Sequence, residues 1–185
     1  MDAFEQLVSD ALWSKGWWSQ TEVKVDLSKE EKKEIGRPSS PRWELDVVAY
    51  EPTTNTLHVV ECKSYLDSTG VAARDIIAPN LEKPQRYKLF TDARLRKVVL
   101  KCLALQFTKT GACAPNPVVT LGLACGRFKS ATDRQQLSDH FASQGWELLD
   151  DEWLRSHLRK MAKGSYENKT SAVVAKLILR GEDNG

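Results

Sequence analysis

With 185 residues, 41% of them hydrophobic and 28% charged, the chain has the make-up of one globular domain with a sizeable core. No apolar run reaches the length of a membrane span, and the acidic start "MDAFEQLVSD" is unlike a signal peptide, so a cytosolic location is the expectation. A net charge of +2 makes any nucleic-acid partner depend on a local basic patch rather than on overall charge. The cysteines, Cys62, Cys102, Cys113 and Cys125, show no C-x-x-C spacing, which argues against a structural zinc site.

Residues 2–15 carry Phe4, Leu7, Val8, Ala11 and Leu12 on one stripe and predict an amphipathic helix stopped at Gly16. "TEVKVDL" (21–27) alternates like a strand, and residues 28–41 read as a polar loop with one helical turn. Strands follow at 43–50 and 57–65. Residues 70–109 are helix-rich and broken near Pro79 and Pro84. "PVVTLGLAC" (117–125) predicts a central strand, 133–145 a helix ending at Gly145, 146–150 a short strand and 151–164 a helix. The last apolar stretch, 170–181, is read as a helix and as a candidate dimer interface. Trp13, Trp17 and Trp18 are expected to pack on the sheet, and His58, His140 and His157 to be structural. The order of elements predicts an α/β fold with a mixed sheet flanked by helices, with a core over about 2–126 and a helical extension over about 132–180.

The chemistry concentrates in "LHVVECKSY" (57–65). On a strand Glu61 and Lys63 share one face and Cys62 takes the other. If 43–65 is a hairpin turning at "PTTN" (52–55), cross-strand pairs sum to 107. That register sets Asp46 opposite Glu61 and Glu44 opposite Lys63. Facing carboxylates repel unless a cation lies between them. A hard divalent ion meets that need, and so, in part, does the Lys63 ammonium. Glu22-Val23-Lys24 and the overlapping pair in "EEKK" repeat the acid-x-Lys spacing without an upstream aspartate brought in by a hairpin.

Asp46 followed after a short hairpin by Glu61-Cys62-Lys63 resembles the PD-(D/E)XK motif of restriction-endonuclease-like nucleases. Leu45 stands where that motif has proline. The resemblance implies a restriction-endonuclease-like core and Mg2+- or Mn2+-dependent phosphodiester hydrolysis, with DNA favoured over RNA. It implies Asp46, Glu61 and Lys63 as catalytic residues, and Asp46, Glu61 and the Cys62 carbonyl as metal ligands. Glu5 is a further candidate ligand, weighed against a capping box with Asp2.

Between Lys83 and Lys101 lie seven basic residues, with Glu82 and Asp92 the neighbouring acids. Lys83, Gln85, Arg86 and Lys88 from this stretch, with Arg37 and Arg42 before Asp46, are the candidate nucleic-acid contacts. A homodimer and a separate targeting protein are expected partners. The rival reading is a non-catalytic nucleic-acid-binding or assembly subunit. No nucleophile-elbow serine or phosphate-binding glycine loop is present.

Overall fold

The computed structural model describes residues 2–39, 42–80, 86–165 and 167–182. Helix α1 (Ala3–Trp13) starts at Asp2, whose carboxylate accepts from the Phe4 N–H at 2.7 Å. Gly16, at φ +86°, turns the chain into β1 (Trp18–Val25). A one-and-a-half-turn helix, α2 (Lys29–Glu34), closed by a Ser28/Glu31 capping box, leads to the hairpin β2 (Trp43–Glu51) and β3 (Thr56–Lys63). Short helices α3 (Arg74–Ile77) and α4 (Lys88–Thr91) precede the long α5 (Ala93–Thr110). Then come β4 (Val118–Cys125), α6 (Ala131–Gln144), β5 (Glu147–Leu149), α7 (Asp151–Lys163) and α8 (Thr170–Glu182).

The five strands form one open mixed sheet in the order β1-β2-β3-β4-β5. The first two pairings are antiparallel and the last two parallel. One face packs on α5 and α6 through Leu45, Val48, Leu57, Val59, Leu121 and Leu123. The other packs on α1 and α7 through Val47, Ala49, Val60, Cys62 and Ala124. Helix α8 lies outside this second layer, with Ala172 and Ala175 buried beside Ala11 and Met161 and the Ser171 hydroxyl donating to the buried Asp10. Leu179 packs partly buried on the same cluster, whereas Val173, Val174, Leu177 and Ile178 are exposed. At the free edge of β1, Gln106 from α5 accepts from the Asp26 N–H and donates to the Lys24 carbonyl, blunting that end of the edge.

Two expectations are corrected. Strand β1 begins at Trp18, three residues earlier than the alternation suggests, because Trp18, Ser19 and Gln20 pair with Tyr50, Ala49 and Val48. Of the three tryptophans, Trp17 alone is buried, stacked 3.9 Å from His58; Trp13 and Trp18 are 44% and 57% exposed. His58 is held inside the fold by Glu147 on Nδ1 and Glu51 on Nε2.

No helix among the described residues is long and apolar enough to cross a membrane.

Candidate metal and phosphodiester site

Hairpin β2–β3 follows the expected register from Glu51↔Thr56 to Val47↔Val60, every pair summing to 107. Asn55, at φ +50°, makes the turn. The ladder stops one step short of Asp46 and Glu61. On the other side of β2, pairing with β1 is continuous except at one point: Thr21↔Val47 and Val23↔Leu45 are paired, and Glu22, between them, takes φ +55°. The sheet switches faces there. Leu45 enters the α5 core, whereas Val47, two residues on, enters the α1 core.

This break places Asp46. Its Oδ2 accepts from the backbone N–H of Cys62 at 2.7 Å, so the carboxylate takes the position a strand carbonyl would fill in an unbroken ladder. The Lys63 ammonium donates to Glu61 Oε1 at 2.7 Å and to the Cys62 carbonyl at 2.9 Å, and lies 3.6 Å from Asp46 Oδ2. The three oxygens expected from the sequence as candidate metal ligands thus lie around one nitrogen cation. The side chains are sheltered without being sealed, at 20% exposure for Lys63, 23% for Asp46 and 17% for Glu61.

The electrostatics reflect this crowding. Burial raises the Glu61 pKa and Asp46 adds to the rise, while Lys63 opposes it. For Lys63, burial favours the neutral amine, but the Glu61 and Asp46 carboxylates outweigh it and the pKa is raised. Glu5, in the first turn of α1, is raised by burial and next by the charge of Asp46, which sets it at the margin of the cluster. The Cys62 thiol, turned into the α1 core, is pushed up by burial and by the same three acids, so it stays protonated.

Asp46, Glu61, the Cys62 carbonyl and Lys63 are therefore brought together, with Glu5 beside them. Glu44 is not opposite Lys63. It pairs with Lys24 across β1–β2, 3.9 Å away, because the β2–β3 ladder has ended and the face switch turns Glu44 towards β1. Among the described residues no three His, Cys, Asp or Glu side chains form a group able to hold a metal ion. A hard ion would draw on two carboxylates and a carbonyl, a donor set suited to Mg2+ or Mn2+ and unsuited to zinc.

The candidate nucleic-acid contacts divide. Arg42 pairs with Asp26 at 3.0 Å, and Arg37 lies over the Trp43 ring at 4.8 Å, so both are engaged in the β1–β2 connection. Arg86 is exposed and hydrogen-bonds to Tyr65, and Lys88 is half-buried at the start of α4. Lys83 and Gln85 lie outside the described residues.

Tyr65 is the residue that sequence reasoning passed over. It follows Lys63 by two, so it continues the face of Glu61 and Lys63. Its backbone, however, leaves the strand for φ +47°, a conformation rare for a bulky side chain, and β3 ends at Lys63 instead of Tyr65. The loop after it is clamped to β4. Gly126 donates to the Lys63 carbonyl at 3.1 Å, and a Cβ at Gly126 would stand 2.4 Å from the Ser64 carbonyl oxygen.

The chain matches no protein-family model, no curated protein and no solved structure.

Proposed function

We propose that this chain is a metal-dependent nuclease of the PD-(D/E)XK type that hydrolyses phosphodiester bonds, with DNA as its substrate. The observation that carries the reading is the convergence of Asp46 Oδ2, Glu61 Oε1 and the Cys62 carbonyl on one cationic nitrogen at the end of β3. A pure binding surface for phosphates has no use for two carboxylates there, since they repel the ligand. The five-stranded sheet, with its antiparallel hairpin continued by a parallel strand, supports a restriction-endonuclease-like core.

In this reading Asp46, Glu61 and the Cys62 carbonyl would hold Mg2+, and Glu5, whose carboxyl feels the charge of Asp46, adds negative potential at the margin of the site. The bound ion supplies Lewis acidity towards the phosphate and lowers the pKa of a coordinated water. Asp46 is aimed by the Cys62 N–H, which fixes its carboxylate without help from the ladder. Lys63, displaced from the three oxygens, has three N–H donors for the charge that builds on the phosphate. The sheltered setting strengthens each of these interactions relative to water.

The alternative, a subunit with the fold but without the chemistry, draws on a specific feature: Lys63 already lies between both carboxylates and neutralises them in part. The two readings separate in one assay. Supercoiled plasmid, linear duplex and single-stranded DNA are incubated with Mg2+ or Mn2+ and the wild type, Asp46→Ala or Lys63→Ala. The nuclease reading expects metal-dependent cleavage that falls at least about 100-fold in both variants. A folded wild type that neither cleaves nor binds the ion would rule it out.

A further inference from the structure

Beyond the carboxylate cluster, the chain opens into a cleft of roughly 460 Å³ lined by the loop after β3, by residues at and after α3, and by Arg86 and Tyr87. Tyr65, Ser68, Arg74, Asp75, Arg86 and Tyr87 are among the residues that line it. We propose that this cleft receives one unpaired nucleotide of the DNA strand next to the scissile phosphate, with the Tyr65 hydroxyl as a substrate-contacting donor. The proposal rests on the nuclease reading for what happens at the neighbouring phosphate. The binding it describes is independent of the metal.

Four observations converge. The first is position. Tyr65 stands two residues beyond Lys63 and is close enough to be one of the groups that raise the ammonium's pKa, after the dominant carboxylates. A strand lying across Lys63 meets Tyr65 next.

The second is hydrogen-bond stoichiometry. A phenol has one donor and two acceptor positions. Burial, followed by Tyr65 itself, raises the Tyr87 pKa, so the buried Tyr87 keeps its proton. It donates to the Tyr65 oxygen across a long 3.5 Å contact. Arg86 bonds to the same oxygen. The Tyr65 hydroxyl can turn its own proton to an acceptor in the cleft, such as a phosphate or base oxygen.

The third is backbone. An aromatic residue at φ +47° is held against its preference, and such positions persist where the surroundings over-determine them. Here Gly126, packed on the Ser64 carbonyl, and Gly70 provide the clamp. A Cβ at Gly70, itself at φ +88°, would meet the Phe128 backbone at 2.5 Å. The strain aims the phenol out of the strand and into the cleft.

The fourth is size and lining. The volume falls within the range of pockets for single small ligands. The part-exposed Tyr65 ring offers a surface for a base, and Arg86 offers charge to its phosphate, joined by Arg74, which pairs at 3.7 Å with Asp75 in the same lining. A base inside a duplex reaches such a cleft only after leaving the stack, which costs free energy, so single-stranded or frayed DNA is the favoured substrate.

The test measures binding in EDTA by fluorescence anisotropy. It compares a labelled single strand of about 15 nucleotides with the blunt duplex of the same sequence. Wild type, Tyr65→Phe and Arg74→Ala are used, each checked by thermal melting. The expected result is single-strand binding at least about fivefold tighter than duplex binding. Both variants should lose about threefold or more on the single strand, with little change on the duplex. Equal or tighter duplex binding by the wild type, or unchanged single-strand binding in both folded variants, overturns the proposal. Cleavage assays on the same samples separate the two readings. Duplex cleavage with no single-strand preference removes the cleft and leaves the nuclease. Tyr65-dependent single-strand binding without cleavage under any metal supports the cleft and removes the nuclease.

Discussion

Lys63 holds the local balance of charge. Replaced by Met, it leaves Asp46 and Glu61 facing one another with no cation in a sheltered position. We expect Lys63→Met to lose about 2 kcal/mol in EDTA, between the limits for exposed and buried pairs, as read by urea unfolding. An unchanged midpoint would show that the pair does not need its ammonium. His157 supplies the pH-dependent counterpart away from the site. It is buried against Trp153, and burial lowers its pKa below the ordinary 6.5; Lys160 and Lys15 push the same way, against the Trp153 carbonyl. The unfolded chain therefore takes up this proton first as pH falls. The contribution is complete above about pH 6.5 and is lost as pH drops towards and through the folded value. His157→Gln is expected to flatten the fall in stability between about pH 7 and pH 5, and parallel wild-type and variant profiles would contradict this.

At the scale of elements, the hairpin was legible because a four-residue turn fixes the register and the apolar runs on both sides fit buried strands. Asp46 and Glu61 could therefore be brought to one place from the sequence. The Glu44–Lys63 pairing failed because strict alternation does not foresee Glu22 at φ +55°, with the consequent exchange of faces in β1 and β2. Tyr65 was missed for a related reason: nothing in "KSY" announces a left-handed tyrosine, which is imposed by the packing of Gly126 on the Ser64 carbonyl. Gly126→Ala tests that packing. The new methyl has no room beside a backbone oxygen, so the variant is expected to lose about 1–3 kcal/mol of stability and to weaken single-strand binding with it. Full stability and binding would mean that the two loops are not clamped as described.

For the whole molecule, the α/β class and the final helix followed from the order and apolar content of the segments, whereas the burial of α8 did not. Ala172, Ala175 and Leu179 face inward while Val173, Val174, Leu177 and Ile178 face outward, which departs from the usual amphipathic pattern. The exposed stripe of Val173, Val174, Leu177 and Ile178 remains the surface to examine for the expected self-association. Charge is the other whole-molecule property. A net +2 gives little general attraction to DNA, so binding must rest on a few local cations. The salt dependence of single-strand binding is accordingly expected to be shallow. Arg74→Ala should reduce its slope by about 0.7, the contribution of one phosphate contact, and an unchanged slope would take Arg74 away from the strand.

The Lys63 ammonium stands among Asp46, Glu61 and the Cys62 carbonyl, where the proposed divalent ion would sit. The most direct measurement is a Mn2+ titration of wild type, Lys63→Met and Asp46→Ala, followed by electron paramagnetic resonance. Removal of the competing ammonium should tighten binding in Lys63→Met by about tenfold relative to the wild type, and loss of one of two carboxylates should abolish saturable binding in Asp46→Ala. Absence of saturable Mn2+ binding in both wild type and Lys63→Met would show that the cluster is a structural ion pair and that the chain is not a metal-dependent nuclease at this site.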